Sequence, residues 1–85
     1  MQYLGTLGGG TSVGVAINAQ GQVAGSADTA DGVRHAFRWT PSGGMLDLGT
    51  LGGTFSSGQA INAPGQVTGY AATADGGTHA FRWTP

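Results

Sequence analysis

The sequence is short of several residue types, and each shortage excludes a class of protein. It contains no cysteine, which excludes a disulfide framework and a thiolate metal cluster. Its three basic residues, Arg34, Arg38 and Arg82, and its formal charge of -1 argue against nucleic acid or an anionic membrane as a partner. Its apolar runs never exceed three residues, whereas a membrane span needs roughly 20, and no signal peptide is expected.

Glycine, in contrast, makes up 18 of the 85 residues. In a sequence without a period so much glycine would indicate disorder, but here the glycines recur at fixed offsets. Only 21 residues are large and apolar or aromatic, which makes a lone chain of this size marginally stable at best. Since disulfides are excluded, oligomerisation is the remaining route to stability.

The chain consists of two copies of one 44-residue unit, residues 1–44 and 45–85. Of the 41 residue pairs that lie 44 positions apart, 29 are identical, and no insertion or deletion interrupts the register. The longest identical run pairs His35–Pro41 with His79–Pro85. Such identity indicates a tandem repeat of one structural unit.

Four short runs in each unit alternate in polarity with a period of two, which predicts β-strands and no helix. In the second unit the strands are predicted at Ser57–Asn62, Gln66–Ala71 and Thr78–Thr84, and the fourth type of strand lies between the units at Met45–Leu51. Ala63–Gly65 contains proline and glycine and predicts a tight hairpin turn. Four strands in about 44 residues are typical of a propeller blade.

The alternation also predicts how the blades pack. It places His79, Phe81 and Trp83 on one face of the third strand and Ala80 and Arg82 on the other. Bulky residues on one face of a blade can then fill the space over small residues on the next. The predicted fold is an all-β propeller with two four-stranded blades per chain, completed into a ring by homo-oligomerisation and by strand exchange between chains.

The order of the strands predicts where two copies join. Met1–Leu7 corresponds to the fourth strand Met45–Leu51, so we expect it to pair with the third strand Thr78–Thr84 of another copy. Three or four copies would close a ring of six or eight blades. The residues predicted for this joint are Met1, Gln2, Tyr3, Leu4, Gly5, Thr6, Leu7, Thr78, His79, Ala80, Phe81, Arg82, Trp83 and Thr84.

Four motifs occur in both units: Leu-Gly-Thr-Leu-Gly-Gly at 4–9 and 48–53, Ala-Ile-Asn at 16–18 and 60–62, Gly-Gln-Val at 21–23 and 65–67, and His-Ala-Phe at 35–37 and 79–81. With these motifs both units resemble the HAF repeat, a bacterial family that is described as a probable extracellular repeat. The resemblance covers nearly the whole chain. It implies longer natural arrays, secretion and no established catalytic activity, so this chain resembles a pair of blades excised or engineered from such an array.

The repeated polar residues are predicted to be structural. His35 and His79 open the third strand of each unit, and no second histidine, cysteine or glutamate lies near either one, so we expect a hydrogen-bonded histidine and no metal site. Asp31 and Asp75 precede glycines in the loops before these strands, where aspartate caps its own turn. A calcium site would need several more oxygen ligands. No cofactor is therefore expected.

The aromatic residues fall into two groups. Trp39 and Trp83 hold identical positions in a period-two pattern, which predicts core residues. Phe55 and Tyr70 hold positions that differ between the units, so they are the candidates for binding a ligand such as a carbohydrate.

The serines give no indication of catalysis, because no general base and orienting acid accompany Ser12, Ser56 or Ser57 at recurring positions. The chain is therefore predicted not to be an enzyme. We expect a structural or interaction module whose partner is itself, as a trimer or tetramer. The alternative is a propeller lectin that binds glycans.

Overall fold

The computed structural model describes residues 1–85 and contains seven β-strands and no helix. The strands are β1 (Gly8–Ile17), β2 (Val23–Thr29), β3 (Arg34–Thr40), β4 (Gly44–Gly49), β5 (Gly52–Ile61), β6 (Val67–Thr73) and β7 (Thr78–Trp83). They form two antiparallel meanders, a four-stranded sheet in the order β1-β2-β3-β4 and a three-stranded sheet in the order β5-β6-β7. The predicted all-β architecture is confirmed.

The hairpin turns follow from local residue chemistry. After β5, the N–H of Gly65 donates to the carbonyl of Asn62 at 3.0 Å, and Gly65 has a φ of 88°. This backbone conformation favours glycine, which explains the glycine of the Ala63–Gly65 turn. The Asn62 side chain closes the same turn by accepting the N–H of Gln66 at 2.8 Å.

The first strand of each sheet is longer than predicted. β5 begins at Gly52, whereas alternation placed its start at Ser57. A bulge between Gly52 and Ser56 brings the strand so close to β6 that a Cβ on Gly53 would lie 2.5 Å from the Cβ of Ala72. Glycine permits this approach, and its lack of a side chain removes the alternation that would have marked the strand.

The cross-strand register defines two faces for each sheet, because residues directly opposite each other share a face. We name the tryptophan face by Val23, Gly25, Ala27, His35, Phe37 and Trp39 in the first sheet and by Val67, Gly69, Ala71, His79, Phe81 and Trp83 in the second. We name the arginine face by Ala24, Ser26, Asp28, Arg34, Ala36 and Arg38 in the first sheet and by Thr68, Tyr70, Ala72, Thr78, Ala80 and Arg82 in the second.

The two sheets pack the arginine face of the first against the tryptophan face of the second. The Arg38 guanidinium lies over the Trp83 ring, 4.8 Å from its centroid. A Cβ on Gly58 of β5 would lie 3.0 Å from the carbonyl oxygen of Gly25. Ala24 and Val67, on the two facing surfaces, are both 0% exposed. The layer between the two sheets is therefore one part of the core, and the other part lies on the tryptophan face of the first sheet, where Phe37 and Ala27 are buried.

Phe37 is among the largest fully buried side chains, with 1% of its surface exposed. Replacing it with alanine should lower the free energy of unfolding by about 3–5 kcal/mol, because both apolar contact and packing are lost. Leu46→Ala is the control, since Leu46 is 46% exposed and should cost well under half as much. Urea denaturation of both variants measures the difference, and equal losses would contradict this account of the core.

Candidate functional site

The outer edge of the second sheet has no partner strand. In the first sheet the corresponding edge of β3 pairs with β4, where Trp39 lies opposite Met45 and Phe37 opposite Asp47. β7 repeats the His-Ala-Phe-Arg-Trp sequence of β3, but no strand lies beyond it. An unpaired edge of this kind presents a row of free backbone donors and acceptors to another strand.

The arginine face of the second sheet is also uncovered. Ala36 and Ser26, which face the second sheet, are 0% and 4% exposed. Their equivalents Ala80 and Tyr70 are both exposed. Arg82, which repeats Arg38, is exposed as well. The same kind of surface is therefore covered in the first sheet and open in the second.

Met1–Thr6, which corresponds to most of β4, forms no strand within this chain. Only Leu7 forms a backbone bridge, to Thr29. Tyr3 is 83% exposed and Met1 is fully exposed. The strand predicted at Met1–Leu7 is thus absent from the single chain, where residues 1–4 line an open cavity with Ser12, Gly14 and Phe37 of the first sheet.

The end of this segment that leads into β1 is nevertheless held by the same kinds of contact as the segment between β4 and β5. The Ser12 hydroxyl donates to the carbonyl of Gly5 at 2.8 Å, and the Ser56 hydroxyl donates to the carbonyl of Gly49. Gly5 and Gly49 have φ values of 98° and 80°, in the left-handed region. The bridge of Leu7 to Thr29 likewise repeats as Leu51 to Thr73. Met1–Leu7 therefore leaves the first sheet in the way that β4 leaves the second.

Polar contacts between the sheets come from residues that occur in both units. The N–H of Ala36 donates to the Ser56 hydroxyl at 2.7 Å, and the side-chain amide of Asn18 donates to the carbonyl of Asn62 at 2.8 Å. The residues equivalent to the first-sheet partners are Asn62, Ala80 and Arg82. Those equivalent to the second-sheet partners are Ser12, Asn18 and Trp39. Each of these six residues is identical to its counterpart in the other unit. The second sheet therefore repeats the groups that the first sheet contributes to the contact, and the first sheet repeats the groups that the second sheet contributes.

The two histidines have different surroundings. The Nδ1 atom of His35 lies 3.0 Å from both carboxylate oxygens of Asp47. His79 is exposed and makes no side-chain hydrogen bond. Sequence reasoning missed Asp47 as a partner, because its counterpart in the other unit is Tyr3. Pairing the residues of β3 and β4 outward from the turn at 40–44 places Asp47 opposite Phe37, and therefore on the same face as His35.

Asp31, His35 and Asp47 line one open cavity of about 540 Å³ at an end of the first sheet. No group of three or more histidine, cysteine or acidic side chains is arranged to hold a metal ion. Asp31 makes no side-chain hydrogen bond, whereas Asp75 accepts the Thr73 hydroxyl and the Gly77 N–H. The Thr73 hydroxyl, followed by the Gly77 N–H, lowers the pKa of Asp75 below its usual value of 3.8.

Phe55 and Tyr70 contact each other edge to face, with ring centroids 6.4 Å apart and an interplanar angle of 71°. They are 38% and 43% exposed. Tyr70 belongs to the arginine face, so the pair lies on the open surface of the second sheet. Trp39 and Trp83 are partly buried and belong to the tryptophan faces.

Comparison of the chain with family models, with curated proteins and with solved structures finds no significant match. No helix in the structure is long and apolar enough to cross a membrane.

Replacing Asp75 with asparagine should flatten the pH dependence of stability in acid. The folded-state pKa of Asp75 is depressed below its usual value of 3.8, so its contribution to stability is present above that usual value and is lost as pH falls through the folded value. Denaturation series between about pH 5 and pH 2 should therefore slope less steeply for the variant. Asp31→Asn controls for loss of charge alone, and an identical effect of the two variants would contradict the role of the turn.

Proposed function

We propose that the chain is a non-catalytic self-assembly module, and that its copies join head to tail into a closed β-propeller. The observation that carries this proposal is the repeated contact set. The residues that join the two sheets are Ala36, Asn18 and Arg38 on one side and Ser56, Asn62 and Trp83 on the other, and each is repeated by an identical residue 44 positions away. The counterparts Ala80, Asn62 and Arg82 are exposed, and the counterparts Ser12, Asn18 and Trp39 are half-buried. A second copy can therefore continue the same packing.

The faces support the same arrangement. The open arginine face of the second sheet retains Ala80 and Arg82, and the tryptophan face of the first sheet repeats that of the second residue by residue. In the proposed contact Arg82 lies over Trp39 of the next copy, and the N–H of Ala80 donates to its Ser12 hydroxyl. This is a heterologous contact, which closes into a ring when the rotation per copy divides a full turn.

The free edge and the extended segment complete the proposed joint. Met45 lies opposite Trp39 in the first sheet, so Met1 would lie opposite Trp83 of the preceding copy. Met1–Leu7 would then form the fourth strand of the second sheet and cover the edge of β7. With two blades per copy, three copies give six blades and four copies give eight, both within the usual range. The resemblance of the motifs to the HAF repeat supports a place in a bacterial extracellular array.

Native mass spectrometry of the 85-residue chain should show a trimer or a tetramer. Its mass in light scattering should agree and should stay constant over a wide concentration range, because a closed ring leaves no open edge for further growth. A stable monomer would contradict the proposal, and so would an open series of increasing oligomers.

A bulky residue at Gly14 should prevent assembly without unfolding the chain. Gly58, its equivalent, lies so close to Gly25 that a Cβ would be 3.0 Å from the carbonyl oxygen and 3.2 Å from the nitrogen. Gly14 is exposed in the single chain, where a Cβ would meet only the Cγ1 of Val23 at 3.3 Å. Gly14→Leu should therefore give a monomer with a β-sheet circular dichroism spectrum.

Gly10→Leu is the matched control, because Gly10 lies in the same strand and a Cβ there has no neighbour within 4 Å. This variant should assemble as the original chain does. Assembly of the Gly14→Leu chain with unchanged stability would show that Gly14 does not face another copy.

A further inference from the structure

The differences between the two units are concentrated on one face of the sheets. On the three strands common to both sheets, every register position of the tryptophan face is identical, from Ser12 and Ser56 to Trp39 and Trp83. The arginine face differs at several positions, including Ala24 against Thr68 and Ser26 against Tyr70. One constant surface therefore meets two different arginine faces in the proposed ring.

At two positions the second sheet carries an aromatic side chain where the first carries a small polar one. Phe55 stands where the first unit has Thr11, and Tyr70 stands where it has Ser26. Ser26 is 4% exposed beneath the second sheet, whereas Phe55 and Tyr70 hold each other in an edge-to-face contact and are 38% and 43% exposed. Two adjacent aromatic rings that are this exposed in a small domain mark a surface that contacts something else.

The geometry within the chain indicates what covers the aromatic pair. Next to Ser26, the backbone of Gly25 is met by Gly58 of the opposing sheet, at the 3 Å approach described above. By the repeat, Gly14 of a second copy meets Gly69 next to Tyr70. A glycine there leaves room beside the tyrosine ring that a larger residue would fill.

We propose that Phe55 and Tyr70 are interaction residues for a second copy of this chain, and that they pack on its tryptophan face around Gly14. This inference rests on the proposed ring. It adds the residues that distinguish the contact between two copies from the contact between the two sheets of one chain. The surface that meets the second sheet within a chain carries Thr11 and Ser26 at these positions, whereas the surface proposed to meet another copy carries the aromatic pair. Aromatic residues of this kind dominate the energetics of protein interfaces.

The experiment replaces the pair with the residues that the first unit has at the same positions. Phe55→Thr with Tyr70→Ser should still fold, because the first sheet carries threonine and serine there. Sedimentation equilibrium should show that the double variant dissociates at a protein concentration at least about tenfold higher than the original chain, as expected for the loss of a central aromatic contact. Leu46→Gln is the control, since it also installs a residue of the first unit on β4, away from the contact between copies.

The outcomes separate this inference from the proposed function. If the original chain is a monomer, the ring itself is wrong and the inference falls with it. If both the original chain and the double variant form rings that dissociate at the same concentration, the ring stands and the role of the aromatic pair is overturned. Glycan-array binding by the intact ring that disappears in an equally assembled double variant would also overturn it, in favour of a carbohydrate platform.

Discussion

The close approach of one sheet's arginine face to the next sheet's tryptophan face is the contact on which the rest of this molecule depends. The chain has few large apolar residues, so it gains stability by bringing backbones together over glycine and alanine. Arg38 has no carboxylate partner, and its Nε is enclosed without a hydrogen bond. The face of the Trp83 ring supplies its favourable electrostatic contact instead. This interaction fixes which face of one sheet can meet which face of the other.

One buried hydroxyl connects three parts of the structure at that contact. Ser56, 1% exposed, accepts the N–H of Ala36 in β3 and donates to the carbonyl of Gly49 at the end of β4. The Ser56 hydroxyl thereby joins β3, the end of β4 and its own strand β5. An alanine at this position would leave a buried N–H and a carbonyl without their partner, which is more costly than the loss of one hydrogen bond suggests.

The sequence predicted the features that depend on local pattern. Alternation and turn residues gave the strands, their order, the hairpin at Ala63–Gly65 and the separation of Phe81 and Trp83 from Arg82. It did not predict that β5 extends back to Gly52, because glycines carry no alternation and their close approach to β6 exists only in the fold. It also missed the contact of His35 with Asp47, since the counterpart of Asp47 in the other unit is Tyr3 and only repeated polar residues pointed to a shared role.

The hydrogen bond from Ser12 to Gly5 has a consequence for docking. It holds the base of Met1–Leu7 within the folded single chain, so the direction in which this segment leaves the sheet is set before any partner arrives. In the proposed ring a copy then docks a largely preorganised surface and loses less conformational entropy than one that must first order a loose arm. The ordering that remains on docking would be confined to the first residues of Met1–Leu7, which form no strand in the single chain.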